Sequence, residues 1–493
     1  MTIDRTQYAP LVQFFRENRR PYYFVSPTNF NLLGIEDWVS HWTHINFIDV
    51  FDGKNPAIFV PNRLDSPVFE SMEDLNQYLL EGLDVSRRII AERQTSDQSY
   101  VMFLFFNPAL ESVCNELGLR PILNPHQLVH HIDSKIETTK LGDSVGVASV
   151  PNIMTTAQPY EALCEIARHA GLGSNWVIQL PYGDSGKTTF FISSQEDYET
   201  HRSELEDGTP IKLMKQIRCV GTAIEGVATR WGTFVGPLMG ELIGEPSLTP
   251  YPGGWCGNDI NPNSFSSTLR LSAQSMTIKL GQALYEKGYR GYFEIDYLLD
   301  LDSDQLYLGE LNPRISGVTA LTSLSRVCQE HAPLFLFHLA EFSNYSGALN
   351  PDEFNRSSVT IAADEYSGQF IIKYTEDSIQ KMADSPPSGI YRFDNGQLFW
   401  VRDATHPGTI TTNEVFLFRI ISTDDYVYHG ADLAICFFRR PILNERYGLD
   451  EITRDLISTV RALFVTRLLT QDEQQVVDRY NNPGFTLKGS MDE

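Results

Sequence analysis

GYRGYFEIDYLLDLDSDQLYLGELNPRISG, residues 288–317, holds two runs of strand-forming residues, YFEIDYLLD and QLYLGELN, on either side of the polar turn Leu301-Asp302-Ser303-Asp304. On a strand, residues two apart share a face. Glu294 and Asp296 therefore point one way, and so do Glu310, Asn312 and, if the strand runs that far, Arg314. Antiparallel pairing sets the two groups side by side. Carboxylates half-buried among aromatics are costly unless a cation neutralises them. Oxygen ligands of this kind suit Mg²⁺, which keeps waters and bridges phosphates. The plainer alternative is a solvated hairpin face with one salt bridge to Arg314. The clustered E-x-N-x-R after an apolar strand favours the metal reading.

Upstream, WVIQLPYGDSGKTTFFI at 176–192 carries a glycine loop. Glycines let backbone N–H groups approach and point at phosphate oxygens. Gly183-Asp184-Ser185-Gly186-Lys187-Thr188 nearly matches GxxxxGK[ST], but Pro181 stands at the first glycine position. A P-loop must also open into a helix. Here Thr188-Thr189-Phe190-Phe191-Ile192 follow, β-branched and aromatic, and predict a strand. The unit is a hairpin flap over a phosphate site or an ordinary β-hairpin.

Further out, the first 125 residues read as α/β, with strands at 22–27, 45–51, 57–61 and 100–106 and helices at 72–94 and 109–117, which predicts a mostly parallel sheet. Residues from about 124 to 344 mix helices (133–141, 159–169, 269–287) with paired strands. The stretch 344–358, NYSGALNPDEFNRSS, reads as a linker. Beyond it, QFIIKY, GIYRFD, QLFWVRD, EVFLFRII and LAICFFRRP predict an antiparallel sheet closed by a helix over 450–469.

The 493 residues fit about three domains. Lys and Arg number 39 against 63 Asp and Glu, a net charge of −24. Such a surface repels nucleic acid and anionic membranes, though it leaves room for a local basic pocket. The six cysteines are scattered with no CxxC pair, which predicts reduced thiols rather than disulfides or a zinc site. The first 20 residues lack the apolar core of a signal peptide, and no run approaches the 18 apolar residues of a membrane span. A soluble, cytoplasmic protein is the expectation.

Over residues 20–340 these motifs resemble the ATP-grasp superfamily of ATP-dependent carboxylate–amine ligases and biotin carboxylases. The segment 124–151 is similar to the one that leads into that family's nucleotide domain. The resemblance implies an ATP-grasp fold over 126–343, preceded by an α/β (pre-ATP-grasp) domain at 1–125 and followed by a β-rich C-terminal domain at 344–493. It implies ATP and Mg²⁺ as cofactors. Lys135 would reach the phosphates, under a flap formed by Gly183, Asp184, Ser185, Gly186 and Lys187. Met214 and Ile217 would flank the adenine, with Lys215 at the hinge. Asp296, Glu310 and Asn312 fall on the metal-ligand positions, and Arg314 on the arginine that steadies the transferred phosphoryl group. One departure stands out: the family's second lysine, on the strand entering the flap, is Gln179 here.

The flap together with loop 250–259 (PYPGGWCGND) looks most like the peptide-ligase branch with a pre-ATP-grasp domain. The loop itself either lines a substrate site or is a surface loop anchored by Trp255. The activity so implied is amide-bond formation between a small-molecule carboxylate and an amine, amino acids or a short peptide, through an acyl phosphate, releasing ADP. The alternatives are a biotin-carboxylase-like enzyme and a non-catalytic nucleotide-binding regulator. Many relatives are dimers, and the choice between monomer and homodimer stays open.

Overall fold

The computed structural model describes residues 7–62, 69–93, 98–183, 188–205, 208–408, 410–444 and 447–480. Its first sheet consists of β1 (Tyr22–Ser26), β2 (Trp42–Asn46), β3 (Ile58–Phe59), β4 (Ser99–Phe103) and β5 (Leu119–Pro121), in the order β3-β2-β1-β4-β5. Every pair is parallel, as the strand–helix alternation predicts. Two local expectations are corrected. The strand expected at 45–51 ends at Asn46, because the Asp49 carboxylate accepts the backbone N–H groups of Phe51 (3.1 Å) and Gly53 (2.7 Å) and turns the chain. The helix expected at 72–94 is two helices, Met72–Glu81 and Leu83–Arg93, broken at Gly82.

A four-stranded antiparallel sheet follows: β6 (Asn152–Thr156), β7 (Trp176–Gln179), β8 (Thr189–Ile192) and β9 (Pro210–Lys215), ordered β6-β9-β7-β8. β7 and β8 flank the glycine loop as an antiparallel pair, so the loop opens into a strand and not into a P-loop helix. The helix expected at 133–141 starts two residues later and runs to Ser144. His126–Ile132 and Lys135–Ser144 are separate helices that meet at Asp133-Ser134.

The largest sheet takes in β10 (Cys219–Thr229), β11 (Gly232–Val235), β12 (Met239–Ile243), β13 (Trp255–Ile260), β14 (Gly291–Asp300), β15 (Gln305–Asn312) and β16 (Ser367–Lys373). The chain continues through β17 (Gln380–Asp384), β18 (Gly389–Asp394), β19 (Gln397–Arg402), β20 (Glu414–Arg419), β21 (Tyr426–Val427), β22 (Asp432–Phe438) and β23 (Val465–Arg467). The order is β15-β14-β10-β12-β13-β16-β22-β20-β18-β19, with β11 on β10, while β17, β21 and β23 form a small sheet of their own. The C-terminal strands thus extend the central sheet through β16 on β13 rather than standing apart.

The expected linker holds the helix Pro351–Val359 instead. Asn350 caps it by accepting the Asp352 N–H, Pro351 occupies its first turn, and Phe354 is buried. The helix expected at 450–469 stops at Arg461, and the chain then pairs as β23.

One face of β10, β14 and β15 packs Ile224, Phe293, Ile295, Leu308 and Leu311 against the helix Ser267–Glu286. The helix Leu334–Phe342 is apolar nearly all round and fills the space between the parallel sheet and β14. Among the described residues no helix is long and apolar enough to cross a membrane.

Candidate active site

The other face of the central sheet is acidic. In the β14–β15 hairpin Glu294 lies opposite Asn312 and Asp296 opposite Glu310, so the pairing expected from the sequence is present. Strict alternation alone would not produce it. Leu306 and Leu308 face the helix core, and unbroken alternation would send Glu310 and Asn312 after them. The register shifts between Asp296 and Tyr297, which leaves Gly309 as an extra residue on β15 and turns the strand over. A Cβ at Gly309 would stand 3.0 Å from the Asp296 carbonyl oxygen, so the bulge fits glycine best. Strict alternation hides this bulge, although a glycine inside a strand signals it.

Two more carboxylates join the face: Glu225 on β10, opposite Glu294, and Glu241 on β12. Burial, then repulsion from Glu294 and Glu310, pushes the Asp296 carboxyl well above its usual pKa. Burial, then Asp296 and Glu310, does the same to Glu241, with the Asn258 amide opposing. Burial, then Glu225 and Glu241, raises Glu294 to about 8. Burial raises Glu225 to about 7, against hydrogen bonds from Thr319 (2.6 Å), Tyr292 (2.6 Å) and Ser316 (3.3 Å). The Asn312 amide nitrogen stands 3.3 Å from both Glu294 and Asp296.

Lys135 and Arg314 border this face. Lys135 opens the helix Lys135–Ser144, and its Nζ donates to Glu310 Oε1 at 2.5 Å and to the Gly183 carbonyl at 3.1 Å. Its backbone N–H donates to the Pro181 carbonyl at 2.8 Å, so the base of the flap is tied to the helix start. Arg314 lies past the end of β15, which stops at Asn312 rather than running on. Its guanidinium donates to Asp133 at 2.8 Å and lies over the Phe105 ring, 4.9 Å from the centroid. Asp133, unassigned from sequence, therefore orients Arg314.

Above the hairpin, Val177 pairs with Met214 and Gln179 with Lys212. Val150, Val177 and Met214 pack with Ile217, Leu298 and Tyr307, an apolar patch joining the flap sheet to the hairpin. Lys215 is exposed, with its backbone N–H on the Pro151 carbonyl at 2.9 Å. Gly183 has φ +147°, and a Cβ there would overlap the Thr188 side chain. Asp184, Ser185, Gly186 and Lys187 lie outside the described residues. The Gln179 amide nitrogen reaches Thr189 Oγ1 at 3.3 Å, while its oxygen is buried without a hydrogen-bond partner among the described residues.

Loop 250–259 is only half a loop, since β13 begins at Trp255. The Trp255 indole donates to Asn258 Oδ1 at 2.5 Å, its ring covers Gly317, and Asn258 lies opposite Glu241. Lys135, Gly183, Asp296, Glu310 and Asn312 thus stand together, with Arg314 near enough to act on Asp296, while Met214 and Ile217 pack on the hairpin through Leu298 and Tyr307. Among the described residues no group of three or more His, Cys, Asp and Glu stands ready to hold a metal ion unaided.

No protein-family model and no curated protein matches the chain. Solved structures do match it. Biotin carboxylase from Campylobacter jejuni, in a β,γ-ATP complex, superposes with TM-score 0.57 at 12% identity over 96% of this chain and 92% of its own. The biotin carboxylase domain of Hydrogenobacter thermophilus 2-oxoglutarate carboxylase, in complex with MgADP, ADP and bicarbonate, gives 0.56 at 13% identity over 90% of each chain. N5-carboxyaminoimidazole synthase from Aspergillus clavatus, with ADP and 5-aminoimidazole ribonucleotide, gives 0.55 at 14% identity over 89% of this chain and 99% of its own. At such identities the likeness is one of fold, and the fold of this chain is the ATP-grasp fold, placed between a parallel α/β sheet and further antiparallel strands.

Proposed function

We propose that the chain is an ATP-dependent ligase that activates a carboxylate as an acyl phosphate and passes it to an amine, with release of ADP and phosphate. The observation that carries this is the meeting of Lys135, the flap base at Gly183 and the Asp296–Glu310–Asn312 hairpin at one point. Among the described residues the acids there repel one another with too few cations nearby, and one or two carboxylates plus an amide oxygen suit Mg²⁺ that takes its remaining ligands from phosphates. Asp296, Glu310 and Asn312 would hold it. Bound magnesium offsets the charge that grows on the phosphate oxygens during transfer.

The chain's own residues do the rest. Val177, Met214, Ile217 and Leu298 offer an apolar slot for the adenine, with the Lys215 backbone at its rim. Lys135 exchanges Glu310 for a phosphate oxygen as the nucleotide enters. Lys135, tied to the base of the flap at Pro181 and Gly183, links the phosphate site to the loop that would have to keep water from the acyl phosphate. Arg314, aimed by Asp133, donates to the acyl phosphate and to the oxyanion formed when the amine attacks. Trp255 and Asn258 lie on the same sheet face and border the acceptor side.

The resemblance of the sequence at 176–192 and 250–259 to the peptide-ligase branch favours an amino acid or short peptide as substrate. A second reading has bicarbonate as the carboxylate, and the neighbours favour it, since the Hydrogenobacter domain is a complex with bicarbonate. The retained set Lys135, Asp296, Glu310, Asn312 and Arg314 speaks against a non-catalytic regulator. A cytoplasmic protein, monomer or homodimer, completes the reading.

ADP release from Mg-ATP separates these cases. Release dependent on a pair of amino acids, or on an amino acid and a dipeptide, supports amide ligation. Release dependent on bicarbonate supports carboxylation. ATP binding without release under either regime leaves the regulator.

A further inference from the structure

Lys212 sits in the middle of β9, between Ile211 and Leu213, which pack into the core of the flap sheet. It lies opposite Gln179 on β7 and Met154 on β6. Residues two apart on a strand share a face, so Lys212 projects to the same side as Met214, the side on which the flap sheet packs against the hairpin. Lys212 is 1% exposed. Among the described residues its ammonium has no hydrogen bond and no salt bridge. The charges acting on it are Lys135, which repels it, and Asp143 and Glu310, which attract it.

A buried lysine without a partner is costly, and a second ammonium beside it adds to the cost. An apolar residue would serve the strand better. The arrangement makes sense when a polyanion enters between the two. Lys135 and Lys212 then face one ligand, and Gln179, whose amide oxygen has no hydrogen-bond partner among the described residues, lies opposite Lys212 in the strand pairing.

We infer that Lys212 is a second phosphate-binding lysine, supplying from β9 the positive charge that Gln179 does not supply from β7. The inference rests on the proposed nucleotide site. It specifies that ligands are selected there by their phosphates, and that the selecting charge enters from the strand next to the expected one.

Equilibrium binding of ATP, ADP and adenosine, each with magnesium, tests it on three proteins: wild type, Lys212→Gln, and the exchange Gln179→Lys with Lys212→Gln. The single variant should lose roughly ten- to a hundredfold in ATP affinity, the size of a hydrogen bond to a charged group. Adenosine binding should be unchanged, and the exchange should recover much of the loss. Equal ATP affinity in wild type and Lys212→Gln overturns the inference and leaves the ligase proposal standing. Parallel loss for ATP and adenosine also overturns it, since Lys212 would then serve the sheet and not the phosphates. A Lys212→Gln protein that fails to fold is replaced by Lys212→Met, which keeps the stem and removes the charge. An exchange variant as weak as the single variant overturns the claim that charge at this point of the cleft is what counts. A wild type that binds none of the three ligands removes the nucleotide site itself, and the ligase proposal with it.

Discussion

Lys135 donates to Glu310 across 2.5 Å, joining the start of a helix in one part of the chain to the metal-side strand of a hairpin 175 residues away. The lysine side chain is buried and the glutamate is about a third exposed. Removing the glutamate charge leaves a buried ammonium without its counter-ion. Glu310→Gln should therefore destabilise the free protein by about 1–3 kcal/mol, less than a fully buried pair would lose because the glutamate is partly solvated. Thermal denaturation should show ATP restoring part of that loss, because a phosphate can take the carboxylate's place.

Asp296, directly across from Glu310, should behave in the opposite way. Its carboxyl is surrounded by Glu294, Glu310 and Glu241 and is held well above its usual pKa. Asp296→Asn relieves that repulsion and should raise the melting temperature of the metal-free protein, while ATP-dependent turnover falls by roughly a hundredfold or more. A lower melting temperature would show that the acids are not in conflict.

Burial of carboxyls gives stability a pH slope. Glu225 has a folded pKa near 7 against its ordinary 4.5, and Asp259, which accepts the Ile442 and Leu443 N–H groups, is raised from 3.8 to about 7. Between the ordinary and the folded values, the folded chain holds protons that the unfolded chain has lost. Stability is then fullest below pH 4 as far as these two groups are concerned, falls as pH rises to about 7, and is flat beyond. Melting curves across pH 5–8 should show the fall, and Glu225→Gln should flatten part of it.

Arg314 and Asp133 form a donor and its positioner. Arg314→Ala should lower kcat by about 10²–10³, the usual cost of losing an oxyanion donor, with little change in ATP affinity. Asp133→Asn should lower kcat by less and leave KM for ATP alone. Steady-state kinetics with ATP varied would show the split.

Much of this site can be read from the residues in order, and the rest cannot, for identifiable reasons. The β14–β15 hairpin is plain because its aromatic and β-branched residues flank a polar turn. Even so, alternation alone puts Glu310 on the face of Leu308, and only the bulge at Gly309 separates them. GIYRFD at 389–394 is a strand with the bounds its residues predict, yet nothing local reveals that β16 joins these strands to β13. The N-P-D-E run at 350–353 reads as linker punctuation, and in the fold the same residues cap and start a helix. Lys212 shows the limit most clearly. Its importance lies in facing Gln179 across a strand pair, and a register between distant segments is set by packing that no short window contains.

Oxygen-18 transfer tests the central claim most directly. With a carboxylate substrate labelled in its carboxyl oxygens, an amine and Mg-ATP, an acyl-phosphate ligase must move one labelled oxygen into each phosphate released. Labelled phosphate from an amino acid or from bicarbonate supports the account and tells the two carboxylates apart. Unlabelled phosphate, released at the same rate as ADP, would mean that water attacks the γ-phosphate and would contradict it.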